Sequence, residues 1–126
     1  MSNATNREAL SSYRELEAWR IAIELVESVY EVSSGFPSDE RFGLTAQIRR
    51  AAVSIPSNIA EGYGRRRRGE YLNHLSMANG SLKEVETQLV IAGRLKFVDK
   101  EGARTTWELI QSEGRLLYRL MESLVE

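Results

Sequence analysis

The feature that most constrains the fold is a repeat of apolar residues spaced alternately four and three apart. It occurs twice, over residues 71–92 and again over residues 103–124. This spacing places all members of a repeat on one face of an α-helix, and it is typical of helices that pack at about 20° to one another. The members are Tyr71, Leu75, Ala78, Leu82, Val85, Leu89 and Ala92, then Ala103, Trp107, Ile110, Gly114, Leu117, Met121 and Leu124.

The first half of the chain contains two further helical patterns. Residues 12–34 have an apolar stripe (Leu16, Trp19, Ile23, Val26 and Tyr30) and, beside it, a second row that includes Leu25 and Val29. The segment "SGFPSDE" then predicts a break, because Pro37 cannot continue a helix. We expect Ser38 or Asp39 to cap a second helix over residues 39–63, and Asp99 to cap the fourth.

Pro56 interrupts the second helical pattern. Proline removes one backbone hydrogen bond and crowds the preceding turn. The apolar phase nevertheless continues across it, from Ile48 through Ala52 and Ile55 to Ile59. We therefore predict one helix with a kink near Pro56.

The predicted connections near residues 35–38, 64–67 and 94–98 are short, so consecutive helices should be antiparallel neighbours. No alternating β-strand pattern occurs in the sequence. The predicted fold is all-α, an up-down-up-down four-helix bundle of residues 13–126, preceded by a flexible tail of residues 1–12. Several apolar rows lie outside the stripes, for example Leu109, Leu116 and Leu120. Self-association is the economical explanation for these rows, and the alternative is a wide core-facing arc, which is usual for helices of globular proteins.

Composition excludes several classes of protein. The 126 residues contain no cysteine, which excludes disulfides and thiolate sites and permits a cytoplasmic location. No apolar run is long enough to span a membrane. A carboxylate-bridged metal site in a bundle requires two Glu-x-x-His motifs, whereas His74 is the only histidine. We therefore expect no metal, no cofactor and no enzymatic activity.

Charge is distributed unevenly along the chain. The overall net charge is −1. Residues 41–74 contain seven arginines and two glutamates, a net charge of +5, and the rest of the chain has a net charge of −6. A local excess of positive charge can attract an anionic ligand to one part of an otherwise acidic protein.

The cationic segment predicts a contact with RNA or DNA. Its candidate residues are Arg49, Arg50, Arg65, Arg66, Arg67, Arg68 and His74. The alternative for the arginine quartet is a solvated turn with weak exposed pairs such as Glu61 with Arg65. Arg49 and Arg50 have an alternative as partners of acids in the first helix. We expect Trp19 and Trp107 to anchor the core or an interface and not to stack on bases.

Polar and small residues in the middle helices favour packing over chemistry. Around Pro56, we predict a buried polar network that fixes helix register, consisting of Ser57, Asn58, Glu61, Ser81 and Glu84. A substrate or metal pocket is the alternative for these residues. Gly80 and Gly114 each cost a helix roughly 1 kcal/mol relative to alanine, so we expect them to allow helices to approach closely.

The segments "LEAWRIAIEL", "LTAQIRRAAVSIPSNIAEG" and "GSLKEVET" resemble the four-helix-bundle proteins encoded by intervening sequences in bacterial 23S ribosomal RNA genes. The resemblance covers residues 13–125. That family is similar in turn to the accessory variability protein of diversity-generating retroelements, which forms a pentameric barrel and binds nucleic acid. The resemblance implies a four-helix bundle that assembles into a ring, with a homopentamer expected. The retroelement proteins are strongly basic, whereas this chain is slightly acidic.

The function that we predict from these observations is non-enzymatic. A homo-oligomeric bundle would bind RNA or DNA through its arginine-rich surface. The alternative is a structural or adaptor ring that binds another, unidentified protein through the same surface.

Overall fold

The computed structural model describes residues 12–125, so most of the predicted N-terminal tail lies outside the described residues. Four α-helices make up the fold: α1 (Glu17–Ser33), α2 (Leu44–Tyr63), α3 (Arg68–Arg94) and α4 (Lys100–Leu124). Two short 3-10 turns, Tyr13–Glu15 and Ser38–Glu40, precede α1 and α2. Residues 12–125 form no β-strand, which confirms the all-α four-helix class.

Each helix packs against the next one in the chain, and α1 also packs against α4. Side-chain contacts between α2 and α3 join Gln47 to Gln88 and Ser54 to Ser81. Residue numbers rise along one helix as they fall along the other, so α2 and α3 are antiparallel. The up-down-up-down order of the whole bundle remains a prediction.

The stripe of α3 is buried as the sequence predicted. All seven of its members are at most 1% exposed. A strict 4-3 stripe is the seam of a packed helix, and the apolar residues of α3 leave few alternative rows. The residues of α3 that contact the core were therefore predicted correctly.

The predicted stripe of α1 is the wrong row. Ala22, Leu25 and Val29 are at most 1% exposed, whereas Trp19 is half-buried and Tyr30 is 43% exposed. Both rows are apolar, but the buried row contains the smaller alanines. Small side chains allow neighbouring helices to approach, so the row with alanines faces the bundle axis.

The core side of α4 includes polar residues that the sequence analysis did not place there. Thr106 and Glu113 are fully buried, one position before the half-buried Trp107 and Gly114 of the predicted stripe. Thr106 Oγ1 is 2.7 Å from Ser28 Oγ, which satisfies both buried hydroxyls and joins α4 to α1. Neither carboxyl oxygen of Glu113 has a hydrogen-bond partner. Burial raises the pKa of Glu113 to about 9.

The start of α2 differs from the prediction. Ser38 begins a 3-10 turn, and α2 itself begins at Leu44 with Gly43 in the cap position. The carboxylate Oε1 of Glu40 accepts a hydrogen bond of 2.9 Å from the backbone N–H of Leu44. An acidic side chain here satisfies a free backbone donor and complements the positive end of the helix. Glu40 therefore takes the role that was expected of Ser38 or Asp39.

Pro56 lies inside α2, which is continuous from Leu44 to Tyr63. The continuity of the helix is as predicted, and the kink remains a prediction.

The N-cap of α4 is as expected, because Asp99 Oδ1 accepts a hydrogen bond of 2.7 Å from the N–H of Gly102. Among residues 12–125, no helix is long and apolar enough to cross a membrane.

Candidate nucleic-acid interface

The arginine turn, defined here as Arg65–Arg68, connects α2 to α3, and all four of its residues are exposed. Arg67 occupies the N-cap position and Arg68 is the first residue of α3. Both side chains therefore lie at the positive end of a helix dipole, where cations are unfavourable. Arg65 Nη2 is 3.1 Å from Glu61 Oε2, an exposed pair as the alternative interpretation expected.

A shallow pocket of about 340 Å³ adjoins the arginine turn. It is lined by Arg65, Gly69, Glu70, Asn73 and His74. His74 was predicted to bind nucleic acid together with the arginines, and the structure brings His74 and Arg65 to the same pocket. Glu70 is the acidic member of this lining.

The orientation of the His74 ring is set by α2. His74 Nδ1 is 3.1 Å from Asn58 Oδ1, while Asn58 Nδ2 donates a hydrogen bond of 2.9 Å to the carbonyl oxygen of Ser54. Because the amide nitrogen is used at Ser54, the amide oxygen faces the imidazole and accepts from an Nδ1–H. His74 Nε2 is then the ring nitrogen available to a ligand.

The buried polar network differs from the one that the sequence predicted. Ser54 Oγ donates a hydrogen bond of 2.7 Å to the carbonyl oxygen of Ala51, and the same hydroxyl oxygen is in hydrogen-bond contact with Ser81 Oγ. Together with Asn58 and His74, these serines form a line of polar contacts between α2 and α3. Three residues predicted to belong to the network are exposed instead: Ser57, Glu61 and Glu84. They lie one position away from the helix face that packs, so their polar groups reach water.

Arg49 and Arg50 are not part of the surface around the arginine turn. Arg50 lies 13 residues before Tyr63, the last residue of α2, which corresponds to about 20 Å of helix. Arg49 Nε donates a hydrogen bond of 2.8 Å to Ser33 Oγ, and its guanidinium lies 4.5 Å from the centre of the Tyr30 ring. Arg49 therefore ties α2 to the end of α1, through a hydroxyl and a ring and not through the expected acids. Arg50 is exposed.

Close approach of α2 and α3 occurs at Gly62, not at the glycines singled out from the sequence. A Cβ at Gly62 would lie 2.7 Å from His74 Cβ and 3.0 Å from Tyr71 Cδ1. A Cβ at Gly80 would meet nothing within 4 Å, and one at Gly114 would make an ordinary 3.7 Å contact with Leu82. The expectation for Gly80 and Gly114 is therefore wrong. Gly62 helps to hold His74 against α2.

Residues 14–119 match the family of 23S rRNA-intervening sequence proteins. The chain belongs to this family. The resemblance that the sequence motifs indicated is thereby confirmed, while the relation to the retroelement accessory protein remains an expectation. The chain has no significant match among curated proteins.

A solved structure supports the fold of this family member. A protein of unknown function from the S23 ribosomal protein family of Bacteroides thetaiotaomicron superposes with a TM-score of 0.77 at 20% sequence identity. The match covers 83% of this chain and 98% of the other. At this identity the similarity concerns the four-helix fold alone.

Proposed function

We propose that this protein is a non-enzymatic, self-associating bundle that binds RNA or DNA through the arginine turn. The observation that carries the proposal is the exposure of four consecutive arginines at the end of the bundle where α3 begins. RNA is the first ligand to test, because the family is named for 23S rRNA intervening sequences.

Folding alone gives little reason for this concentration of charge. Arg67 and Arg68 oppose the dipole of α3, and the ion pair between Arg65 and Glu61 is exposed and contributes little to stability. A phosphate backbone would offset the unfavourable dipole interaction, since it neutralises the guanidinium groups and complements the helix N-terminus. Arginine also offers a planar donor geometry that matches phosphate oxygens.

The pocket beside the turn supplies further polar contacts. Arg65 and His74 line it together with Asn73, so a phosphate or a base edge placed there would meet donors from both sides. The contacts of His74 with Asn58 and of Gly62 with the start of α3 keep this side of the pocket in place.

Self-association would bring several copies of the arginine turn, and so more positive charge, into one particle. Five copies, the number implied by the family resemblance, would carry 20 arginines in their turns. Half-buried apolar side chains on α1 and α4 support an interface between copies, among them Trp19, Val26, Leu116 and Leu120. Sedimentation analysis tests this part: we expect about 72 kDa for a pentamer of 14.3 kDa chains, and a 14.3 kDa particle would contradict it.

Fluorescence polarisation with short labelled RNA and DNA over a salt series tests the binding proposal. Four neutralised phosphates on a single strand give a slope of roughly −3 in log affinity against log salt. We expect the variant with Arg65→Ala, Arg66→Ala, Arg67→Ala and Arg68→Ala to lose most of the affinity and most of the slope.

A second quadruple variant controls for net charge. It removes the same number of positive charges from exposed arginines elsewhere: Arg20→Ala, Arg104→Ala, Arg115→Ala and Arg119→Ala. We expect it to keep the salt slope of the wild type. Equal losses of affinity and of salt slope in both quadruple variants would contradict a local site. If the wild type binds neither RNA nor DNA at low salt, the adaptor ring is the better interpretation.

A further inference from the structure

A second cationic surface lies at the opposite end of the bundle, where α3 turns into α4. It surrounds a groove of about 580 Å³ that the sequence analysis did not identify. Phe36 and Phe97 pack with ring centres 5.8 Å apart, which places the α1–α2 and α3–α4 connections at this same end. Arg68 and Arg94, the ends of α3, are separated by about 39 Å of helix, so this groove is distinct from the arginine turn.

The groove combines apolar walls with a cationic rim. Its apolar side chains are Leu89, Val90, Val98, Ala103 and Trp107, and its cations are Arg94, Lys96 and Lys100. All three cations are exposed. Asp99 also lines the groove, but one of its oxygens accepts the N–H of Gly102 as the cap of α4.

The backbone places Lys96 in a conformation that lysine rarely adopts. The end of α3 is a Schellman motif, with Phe97 N–H bonded to the carbonyl of Ala92 at 2.8 Å and Lys96 N–H to that of Gly93 at 3.0 Å. Lys96 occupies the left-handed position of this motif, with a φ of 65°. Glycine is preferred there because a Cβ is unfavourable. The chain therefore has a strained lysine at the rim of the groove, where folding alone would favour glycine.

Trp107 gives the groove an aromatic wall. From the sequence, this side chain was expected to anchor the core or an interface and not to stack on bases. The structure leaves it half-buried, so that it packs on the core and also lines the groove. An indole ring with cations beside it matches a ligand that has a flat aromatic group attached to an anion. A nucleotide of a single strand has this chemistry, since its base stacks on aromatic rings and its phosphate attracts lysine and arginine.

We propose that this groove binds a nucleotide of single-stranded nucleic acid, with the base against Trp107 and the phosphate at Arg94, Lys96 and Lys100. The proposal rests on the proposed function in taking nucleic acid as the ligand, and it adds a second site with a different chemistry. The arginine turn and its pocket offer polar and charged groups, whereas the groove also offers an aromatic ring on which a base can stack.

Trp107 itself reports on the test. The variant Trp19→Phe leaves Trp107 as the sole tryptophan, and its fluorescence is followed at low salt with a strand of four thymidylates. We expect quenching by this strand, but none by a strand of abasic sites with the same charge and none by thymidine at the same concentration. Absence of quenching by the thymidylate strand, or equal quenching by the abasic strand, would overturn the proposal.

Lys96→Gly, made in the same background, separates binding from folding. Glycine relieves the left-handed strain, so the melting temperature should hold or rise, while the affinity for the thymidylate strand falls at least threefold. Loss of one phosphate contact should lower the salt slope by about 0.7. Lys83→Gly, an exposed position on α3 outside the groove, should keep the affinity and the slope. Unchanged affinity in Lys96→Gly would overturn the proposal.

The two proposals fail in different ways. Alanines at the arginine turn should leave the quenching of Trp107 by the thymidylate strand in place. If the groove proposal is wrong, quenching is absent while the polarisation assay still responds to the turn. If the proposed function is wrong, the alanines do not change the polarisation.

Discussion

The stability of this protein should fall as pH rises, because of one carboxyl group in the core. Glu113 is 0% exposed, and neither of its oxygens has a hydrogen-bond partner. Desolvation therefore disfavours the charged form and raises the pKa from 4.5 to about 9. At neutral pH the folded protein holds a proton on Glu113 that the unfolded chain has released.

The sign and size of the effect follow from this difference in bound protons. When folding raises the pKa of a group, the group's contribution to the free energy of unfolding is greatest at pH values below its pKa in the unfolded chain. That contribution is lost as the pH rises towards and through its pKa in the folded protein. Between pH 4.5 and about 9, each increase of one pH unit lowers the free energy of unfolding by about 1.4 kcal/mol. From pH 5 to pH 8 the free energy of unfolding should fall by about 4 kcal/mol on account of Glu113.

Urea unfolding followed by circular dichroism at pH 5, 6, 7 and 8 measures this loss. Glu113→Gln is neutral throughout, so the difference between wild type and variant isolates the titration of Glu113 from that of all other groups. Glu122→Gln, at an exposed position of the same helix, is the control and should follow the wild type. If the free energy of unfolding changes with pH in the same way for the wild type and for Glu113→Gln from pH 5 to pH 8, the carboxyl is not buried as described.

Four further predictions concern the packing and capping of the helices, and urea unfolding checks each. Gly80→Ala should stabilise the protein by about 1 kcal/mol, because the added methyl meets open space. Gly62→Ala should destabilise it by roughly 1–3 kcal/mol, since the new Cβ overlaps α3; equal effects at the two glycines would contradict the assigned contact. Asp99→Ala should cost about 1 kcal/mol through the lost cap of α4, and an unchanged stability would refute that role. Thr106→Val should cost roughly 1–3 kcal/mol because it leaves the Ser28 hydroxyl unpaired, and adding Ser28→Ala should recover part of this loss; no recovery would argue against the bond.

The elements predicted best were those with a single apolar row. In α3 one strict stripe determines the buried face, and Asp99 marks the start of α4 by ordinary capping chemistry. In α1, two adjacent rows are both apolar, and periodicity alone does not choose between them. The distinction lay in residue size, since Ala18 and Ala22 are on the buried row. In α1, side-chain volume was therefore a better guide to the buried face than side-chain hydrophobicity.

The candidate sites were predicted less completely, for two physical reasons. A linear count of charge joined Arg49 to the arginine turn, although a helix of 20 residues separates the ends of that segment. The same count put Arg94, Lys96 and Lys100 into the acidic remainder of the chain, so the groove at that end was missed. Their density around the α3–α4 turn, "GRLKFVDK", was the available signal. Glu113 gave no signal, because a glutamate in an amphipathic helix is usually exposed.

Hydrogen–deuterium exchange of the full-length protein, with and without a short RNA, tests the central claim most directly. Residues 64–67 connect two helices and have exposed side chains. The N–H groups of Gly64 and Arg65 donate to carbonyl oxygens of α2, but bonds at an exposed helix end open readily, so we expect fast exchange in the free protein. RNA bound at the arginine turn should slow exchange in peptides that cover residues 64–74, and this protection should disappear in high salt. Unchanged exchange in these peptides under conditions where RNA is bound would contradict the claim that this turn is the contact.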